Sequence, residues 1–431
     1  MFNKSIIVLA AGAGTRMKSD TPKVLHKISG KPMLYYSIKE ALKLSDDITV
    51  VLFHQAARVQ AEMEKYFSNI NFVIQDHANY PGTGGAVMGI TPKYEKVLVL
   101  NGDMPLIQSN ELEKFEIDAT IVMSVLELQS ADGYGRVIIE NGNVKKIVEQ
   151  KDATEAELSI TTANAGIYQF ETKFLLENLP KLSNNNAQKE YYITDLIEMA
   201  IEQGKVLKPL VVNEENFKGV NSKVELADAE VIHQNRIKKE FLKAGVIMRL
   251  PDTIYIEEGV EIEGESIIEN GVSLLGNSKI VNSHIKTNSV VEDSIVIDSD
   301  VGPMGRIRPG SELNKTHIGN FVETKKAILN GVKAGHLSYL GDCSIDEGTN
   351  IGCGTITCNY DGVNKHQTII GKNVFVGSDT QFVAPVNIED DVLIGAGSTV
   401  TGDVKKGELY LTRAKAKTIA GYFYKHFSSK K

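Results

Sequence analysis

Three clusters of residues have types and spacings that could do chemistry. The first is Leu9-Ala10-Ala11-Gly12-Ala13-Gly14-Thr15-Arg16-Met17, followed by Thr21-Pro22-Lys23. Gly12 and Gly14 have no side chain to bar a close backbone approach. Successive backbone N–H groups in such a turn form an anion-binding concavity. Arg16 and Lys23 add the mobile positive charge that a polyphosphate requires. The spacing is not a Rossmann fingerprint, because G-x-G-x-x-G fails at Met17, and it is not a Walker A loop, because no Gly-Lys-Ser/Thr follows. A bare Gly-x-Gly also suits an ordinary strand-to-helix turn. With two bases beside it, the stretch predicts a nucleoside-triphosphate site.

The second cluster is spread along the following two hundred residues. Gly82-Thr83 sits among small residues at a predicted helix start, with Gln75 upstream. Asp103, in Asn101-Gly-Asp-Met-Pro105, follows an apolar run, where a carboxylate can hold a cation that keeps substrate phosphates in its shell. Caps and turns are the alternative readings of both segments. The third cluster is His336 with Arg308, Lys325, Tyr339 and Asn350 around it in sequence. A lone histidine is usually structural, but a pKa near neutrality suits a general base.

The elements that must position these groups fall into two textures. Ser5–Leu9, Ile48–Phe53 and Lys96–Leu100 are continuous apolar runs of the buried, parallel-strand kind. Pro32–Leu44 and Ala57–Phe67 between them have helical spacing. The pattern is α/β, with ligands expected at the carboxyl ends of the strands. Residues 222–245 are rich in helix formers, with Ser222 and Glu225 as a capping box and Gly245 as a terminator. From Pro251 a period of six replaces helical spacing. From Thr368 the blocks read TIIGKN, VFVGSD, TQFVAP, VNIEDD, VLIGAG, STVTGD. Such an internal repeat implies a solenoid, here a left-handed parallel β-helix with three strands to a coil. Earlier blocks, starting at Val260, Val272, Val290 and Val296, keep the period less strictly. Between Thr357 and Thr368 the repeat is interrupted by a surplus of about five residues, a loop within Asn359–His366, and loops on rigid scaffolds commonly carry function.

Composition narrows the class. The chain has 431 residues and a net charge of −8, with 42% hydrophobic residues. Two or more domains and no general nucleic-acid binding follow. Only the stretch Thr412–Lys431 is basic. Three cysteines, Cys343, Cys353 and Cys358, argue against a disulfide framework and for a reducing, cytoplasmic compartment. No apolar run reaches membrane-spanning length, and the N-terminal run leads directly into the glycine loop, unlike a signal peptide.

The glycine loop with its Pro-Lys resembles the signature of sugar-nucleotide pyrophosphorylases. Adding Gly133-Tyr-Gly135-Arg, Val148-Glu149, Ala163-Asn164-Ala, Asn184-Asn-Asn-Ala-Gln-Lys-Glu-Tyr-Tyr-Ile-Thr-Asp195 and Gly219-Val-Asn221, nearly the whole chain resembles one family. It is that of the bacterial bifunctional N-acetylglucosamine-1-phosphate uridyltransferases and glucosamine-1-phosphate N-acetyltransferases. The resemblance implies a uridyltransferase domain at 1–221, a linker helix at 222–245 and a β-helical acetyltransferase domain with a basic tail at 246–431. It implies UTP bound by Leu9, Ala10, Ala11, Gly12 and Lys23, with Gln75, Gly82 and Thr83 on the base. Arg16 would face the departing phosphates and Lys23 the α-phosphate. Asn101 would line this site, Gly135, Glu149 and Asn164 would hold N-acetylglucosamine, and Asp103 and Asn221 would hold Mg²⁺. In the second half it implies His336 as general base, glucosamine-1-phosphate on Arg308, Lys325, Tyr339 and Asn350, and acetyl-CoA on Cys353, Asn359, Tyr360, Ser378, Ala396 and Arg413. It implies a homotrimer with sites between subunits. Asn101 stands where the family can carry tyrosine, Ala165 where it carries threonine, and Cys353 where it often carries alanine, so Cys353 is expected to make that site sensitive to alkylation.

Two other readings stay open at this level. One is another sugar nucleotidyltransferase whose β-helix is regulatory, which would not need the His336, Arg308 and Lys325 set. The other is a non-enzymatic exchange-factor subunit of similar layout, which would not need Arg16, Lys23, Asp103 and Asn221.

Overall fold

The computed structural model describes residues 3–12, 14–131, 135–148, 150 and 153–427. Contacts divide the chain into two compact units, Met1–His233 and Gln234–Lys431.

The first unit is built on one mixed sheet. Its strands are β1 (Lys4–Ala10), β2 (Ile48–Leu52), β3 (Asn71–Ile74), β4 (Lys96–Asn101), β5 (Ile121–Glu127), β6 (Arg136–Glu140), β7 (Asn143–Val148), β8 (Thr162–Glu171) and β9 (Leu207–Val211). The order is β9-β5-β8-β4-β1-β2-β3, with β6 beside β8 and β7. Strand β1 is parallel to β2 and β4, while β8 runs antiparallel to β4 and β5. The three apolar runs read from sequence are β1, β2 and β4, and every residue of β2 is buried. Such strands are covered on both faces, and two separate clusters do this: Val8, Val50 and Leu98 pack on one side, Ile7, Val51 and Val99 on the other. The carboxyl ends of β1 and β4 lie side by side, with Leu9 in register with Asn101.

The helix predicted after residue 222 runs Lys223–Lys243. Ser222 Oγ accepts the N–H of Glu225 at 3.2 Å, and Glu225 reaches back to the Asn221 N–H at 2.7 Å. Gly245 has φ +97° beyond the helix end, the left-handed residue that closes helices.

In the second unit three columns of inward side chains run along the solenoid. One is Ile268, Ile285, Val301, Ile318, Ala334, Ile351, Val376 and Ile394, each in parallel register with the next. A second passes through Leu274, Val291, Ile307, Thr324 and Leu340. The third passes through Ile280, Val296, Leu313, Leu329, Ile345, Ile370 and Ile388. All of these residues are buried. They define the three faces of the left-handed parallel β-helix expected from the repeat.

Two details of the sequence reading change. Val290 is half-exposed, and the buried residues are Ser289 and Val291. Val296 occupies the third position of its block, with Ser294 first. The cause is coil length, since one turn from Ile268 to Ile285 or from Val301 to Ile318 takes 17 residues and from Ile285 to Val301 takes 16, so a strict count of six drifts. The loop is also longer than expected, because the turn from Ile351 to Val376 takes 25 residues against 18 from Val376 to Ile394.

Candidate active sites

The glycine loop leaves the carboxyl end of β1 and borders a cavity of about 390 Å³. Leu9, Ala10, Ala11, Gly12, Lys23, Gln75, Gly82, Asn101 and Asp103 all line it. Gly14 has φ +65°, and a Cβ there would lie 2.5 Å from Lys23 Cβ. Only glycine lets the loop close over Lys23. Gly82 has φ +91°, and a Cβ there would lie 2.6 Å from the Tyr191 carbonyl.

Lys23 is the hub. Its ammonium pairs with Asp103 Oδ2 and donates to Asn221 Oδ1 at 3.1 Å. Arg16 donates to the same Asn221 oxygen at 3.0 Å. Four residues separated by up to 205 positions thus meet at one point. Lys23 and Asp103 are largely buried, with side chains 13% and 18% exposed. Asn221 is held from behind by the Glu225 carboxylate on its N–H. Burial works to raise the Glu225 pKa, and the donors from Asn221 and Ser222 outweigh it and leave the group below the usual carboxylate range.

Gln75 is fixed by its own loop. Its amide N–H groups donate to the carbonyls of Tyr80 at 2.9 Å and Gly82 at 3.0 Å, which leaves its carbonyl oxygen as the acceptor at the cavity. Thr83 is absent from the lining, and its hydroxyl accepts the Ile193 N–H at 3.1 Å. Here the specific run at 184–195 shows its role. The Tyr191 carbonyl accepts the Gly84 N–H, and the Tyr191 N–H donates to the Pro81 carbonyl, both at 2.8 Å. It clamps the Gly82 turn from outside, and Glu190 reaches the cavity.

A second cavity of about 450 Å³ shares Asn101 and Asp103 with the first and adds Arg16, Asn164, Ala165 and Asn221. Asn101 donates to the Gly166 carbonyl at 3.1 Å, and Asn164 accepts the Gly166 N–H at 2.9 Å. Asn101 therefore pins the irregular stretch of β8 that follows Asn164. The Asn164 N–H donates to the Gly135 carbonyl at 3.3 Å, which brings Gly135 to the same rim. Glu149 and the segment 132–134 lie outside the described residues.

In the β-helix, His336, Asn350, Cys353, Ser378 and Ala396 border one cavity of about 520 Å³. Arg413 donates to the Ala396 carbonyl at 3.4 Å. His336 is exposed. The other sequence candidates are on the neighbouring sheet. Arg308 is in register with Lys325, and Lys325 with Gly341. Arg308 pairs with Glu323 at 2.6 Å, and Glu323 is in register with Tyr339. Asn359 donates to Asp342. Lys365, not singled out from sequence, joins this group. Its ammonium beside Lys325, with Arg308 next, holds Lys325 below the usual lysine range. Three cations are thus gathered with few partners, which suits a phosphate. Asp361 shapes the loop that carries Lys365 and Tyr360, accepting the N–H groups of Asn364 at 2.6 Å and Val363 at 2.8 Å and pairing with His366 at 2.7 Å. These donors, Asn364 first, hold its carboxyl at about 2. Burial pushes the Cys343 thiol up to about 12, while Cys353 faces the cavity.

The first unit thus has the architecture of a nucleotidyltransferase, and the second that of a hexapeptide-repeat acyltransferase. Residues 6–117 match the MobA-like NTP transferase domain, and residues 367–402 match the bacterial transferase hexapeptide (six repeats). The chain is 93% identical over 431 residues to the bifunctional protein GlmU of Aliarcobacter butzleri and 63% identical to that of Wolinella succinogenes, all of each chain being covered. It is 60% identical to the GlmU of Nitratiruptor sp., over 98% of this chain and 99% of that one. The chain belongs to the GlmU family. It is a bifunctional enzyme of UDP-N-acetylglucosamine synthesis, a nucleotidyltransferase joined to a hexapeptide-repeat acetyltransferase. Among the described residues no helix is long and apolar enough to cross a membrane.

Proposed function

We propose that residues 246–431 transfer acetyl from acetyl-CoA to glucosamine-1-phosphate, and that residues 1–221 then transfer uridylyl from UTP to the N-acetylglucosamine-1-phosphate formed, with 222–245 as linker helix. The single observation that carries the nucleotidyl half is the convergence of Arg16, Lys23, Asp103 and Asn221 between two abutting cavities.

In uridylyl transfer the sugar phosphate attacks the α-phosphorus of UTP in line, and pyrophosphate leaves. The protein contributes positioning and charge. Gly12 and its neighbours cradle the phosphates, Lys23 sits at the α-phosphate, and Arg16 faces the leaving pyrophosphate. Gln75 and the Gly82 turn orient the base. Gly135, Glu149 and Asn164 hold the sugar. The Asp103 carboxylate and the Asn221 amide oxygen converge on a cation, the Lys23 ammonium. Two oxygens of this kind fit Mg²⁺, which takes most of its ligands from phosphate and water. When bound there, Mg²⁺ would supply neutralisation of the phosphate charge.

In acetyl transfer an imidazole nitrogen of His336 takes a proton from the sugar amine. The amine nitrogen bonds to the acetyl carbonyl carbon as the C–S bond breaks, and CoA leaves as the thiol after protonation. Arg308, Lys325 and Lys365 hold the sugar phosphate, and Tyr339 and Asn350 the sugar. Cys353, Asn359, Tyr360, Ser378, Ala396 and Arg413 contact acetyl-CoA.

A homotrimer joins the two sets of β-helix residues into whole sites. Its support is an outward apolar strip, Phe375, Leu393 and Leu409, which are 54%, 47% and 62% exposed in one chain and of which the first two line the His336 cavity. Contiguous exposed apolar surface of this kind marks an interaction face. The free cysteines and the choice of substrates support a cytoplasmic enzyme.

Two assays test the scheme. Asp103→Ala is expected to lose pyrophosphate release from UTP and keep CoA release with glucosamine-1-phosphate, and His336→Ala the reverse. Loss of both activities from either folded variant would sink it.

A further inference from the structure

The nucleotide cavity has a wall that no motif announces. Phe53 follows the wholly buried strand β2, yet it is 42% exposed. Its ring stacks on the imidazole of His77, with centroids 4.4 Å apart and planes 10° apart. Both rings border the same cavity as Gln75 and Gly82. His77 is set two residues beyond Gln75 by a tight turn in which its N–H donates to the Gln75 carbonyl at 2.9 Å. A base that donates to the free side-chain oxygen of Gln75 therefore lies beside the pair. An aromatic pair needed only for the core would be buried; this one is left open at a cavity mouth.

We propose that Phe53 and His77 form the stacking wall of the base subsite and confine it to single-ring bases. This deepens the uridylyl-transfer reading and rests on it. An aromatic face offers any base a stacking surface, so the wall contributes affinity. Its position sets the width available, so removing either ring opens space for a second ring. The pair acts through UTP alone, because the proposed sugar-phosphate cavity, which shares Asn101 and Asp103, contains neither ring.

The test is steady-state kinetics of Phe53→Ala, His77→Ala and His77→Phe in the full-length enzyme. Each alanine variant is expected to raise KM for UTP about tenfold, within the range for losing one base–aromatic stack. The UTP preference over ATP should fall in both. KM for N-acetylglucosamine-1-phosphate and the rate of acetyl transfer should change less than about twofold, which also reports folding. His77→Phe, which keeps a ring, should restore KM for UTP. Wild-type KM for UTP in both alanine variants, or equal rises for UTP and the sugar phosphate, overturns the wall. The nucleotide-site reading fails separately, if Lys23→Ala retains uridylyl transfer.

Discussion

The two candidate sites are assembled by opposite means. In the first unit, residues as distant in sequence as Arg16 and Asn221 meet within hydrogen-bonding distance. In the second, His336 and the Arg308–Lys325–Lys365 cations lie on different sheets of one solenoid. Topology accounts for the contrast. In an α/β sheet the carboxyl ends of several strands share one edge, so loops far apart in the chain converge there. In a solenoid each coil contacts only its neighbours. Its faces carry linear arrays, and a deep site requires a second surface. An α/β unit can complete a site alone, whereas the proposed trimer would give the solenoid its second surface.

Chelation should draw the contrast most strongly. EDTA is expected to lower pyrophosphate release by a factor on the order of 10³, the scale on which losing charge stabilisation is felt, and to leave CoA release unchanged. Comparable loss of both would show that the sites are not chemically separate. Subunit mixing comes next. Co-refolded His336→Ala and Lys325→Ala chains should recover up to about a quarter of wild-type acetyl transfer, as random pairing across a shared interface gives. Lys23→Ala mixed with Asp103→Ala should recover no uridylyl transfer, since both residues belong to one chain's site. Recovery in the second mixture, or none in the first, breaks the comparison. Cysteine chemistry offers a finer probe. Iodoacetamide should label Cys353 and spare Cys343, whose burial raises its pKa, because the thiolate is the reactive form. Acetyl transfer should fall several-fold with labelling, acetyl-CoA should protect, and uridylyl transfer should persist. Full acetyl transfer after complete Cys353 modification would remove it from the site.

The smallest effect concerns the loop clamp. Asp361 is held at about 2 in the folded chain, below the ordinary carboxylate value. A depressed pKa means that the clamp is complete above the unfolded value, near 4, and is released as pH falls through about 2. Asp361→Ala should raise KM for glucosamine-1-phosphate or acetyl-CoA a few-fold, and a carboxyl titration by NMR should place the midpoint well below 4. An ordinary midpoint would refute the clamp.

Much of this was readable from residue types. Gly12, Gly14, Arg16 and Lys23 are informative because few other needs put two glycines and two bases in one turn. The repeat was legible from Thr368 onward, where blocks keep six residues, and blurred earlier, where coils of 16 and 17 residues shift the phase. Phe53 and Lys365 were not legible, since an aromatic after a strand or a lysine in a loop has many ordinary explanations. Tyr191 acts through its backbone, which every residue possesses. Asn101 does its work across the sheet, by holding Gly166, a partner 65 positions away.

The ends of the inward columns are finished differently. At the beginning, Gln234 exchanges two hydrogen bonds with the backbone of Ile256, at 2.6 and 3.0 Å, and Lys238, 5% exposed, donates to the Pro251 carbonyl at 2.9 Å. At the other end the column stops at half-exposed Tyr410, and the chain runs on through exposed residues. A one-dimensional stack frays from its weaker end. Amide exchange should therefore quicken coil by coil toward the C-terminus, so that warming loosens Ala396 and Arg413 before it reaches His336, and on the proposed placement acetyl-CoA would bridge those coils and serve as the missing cap.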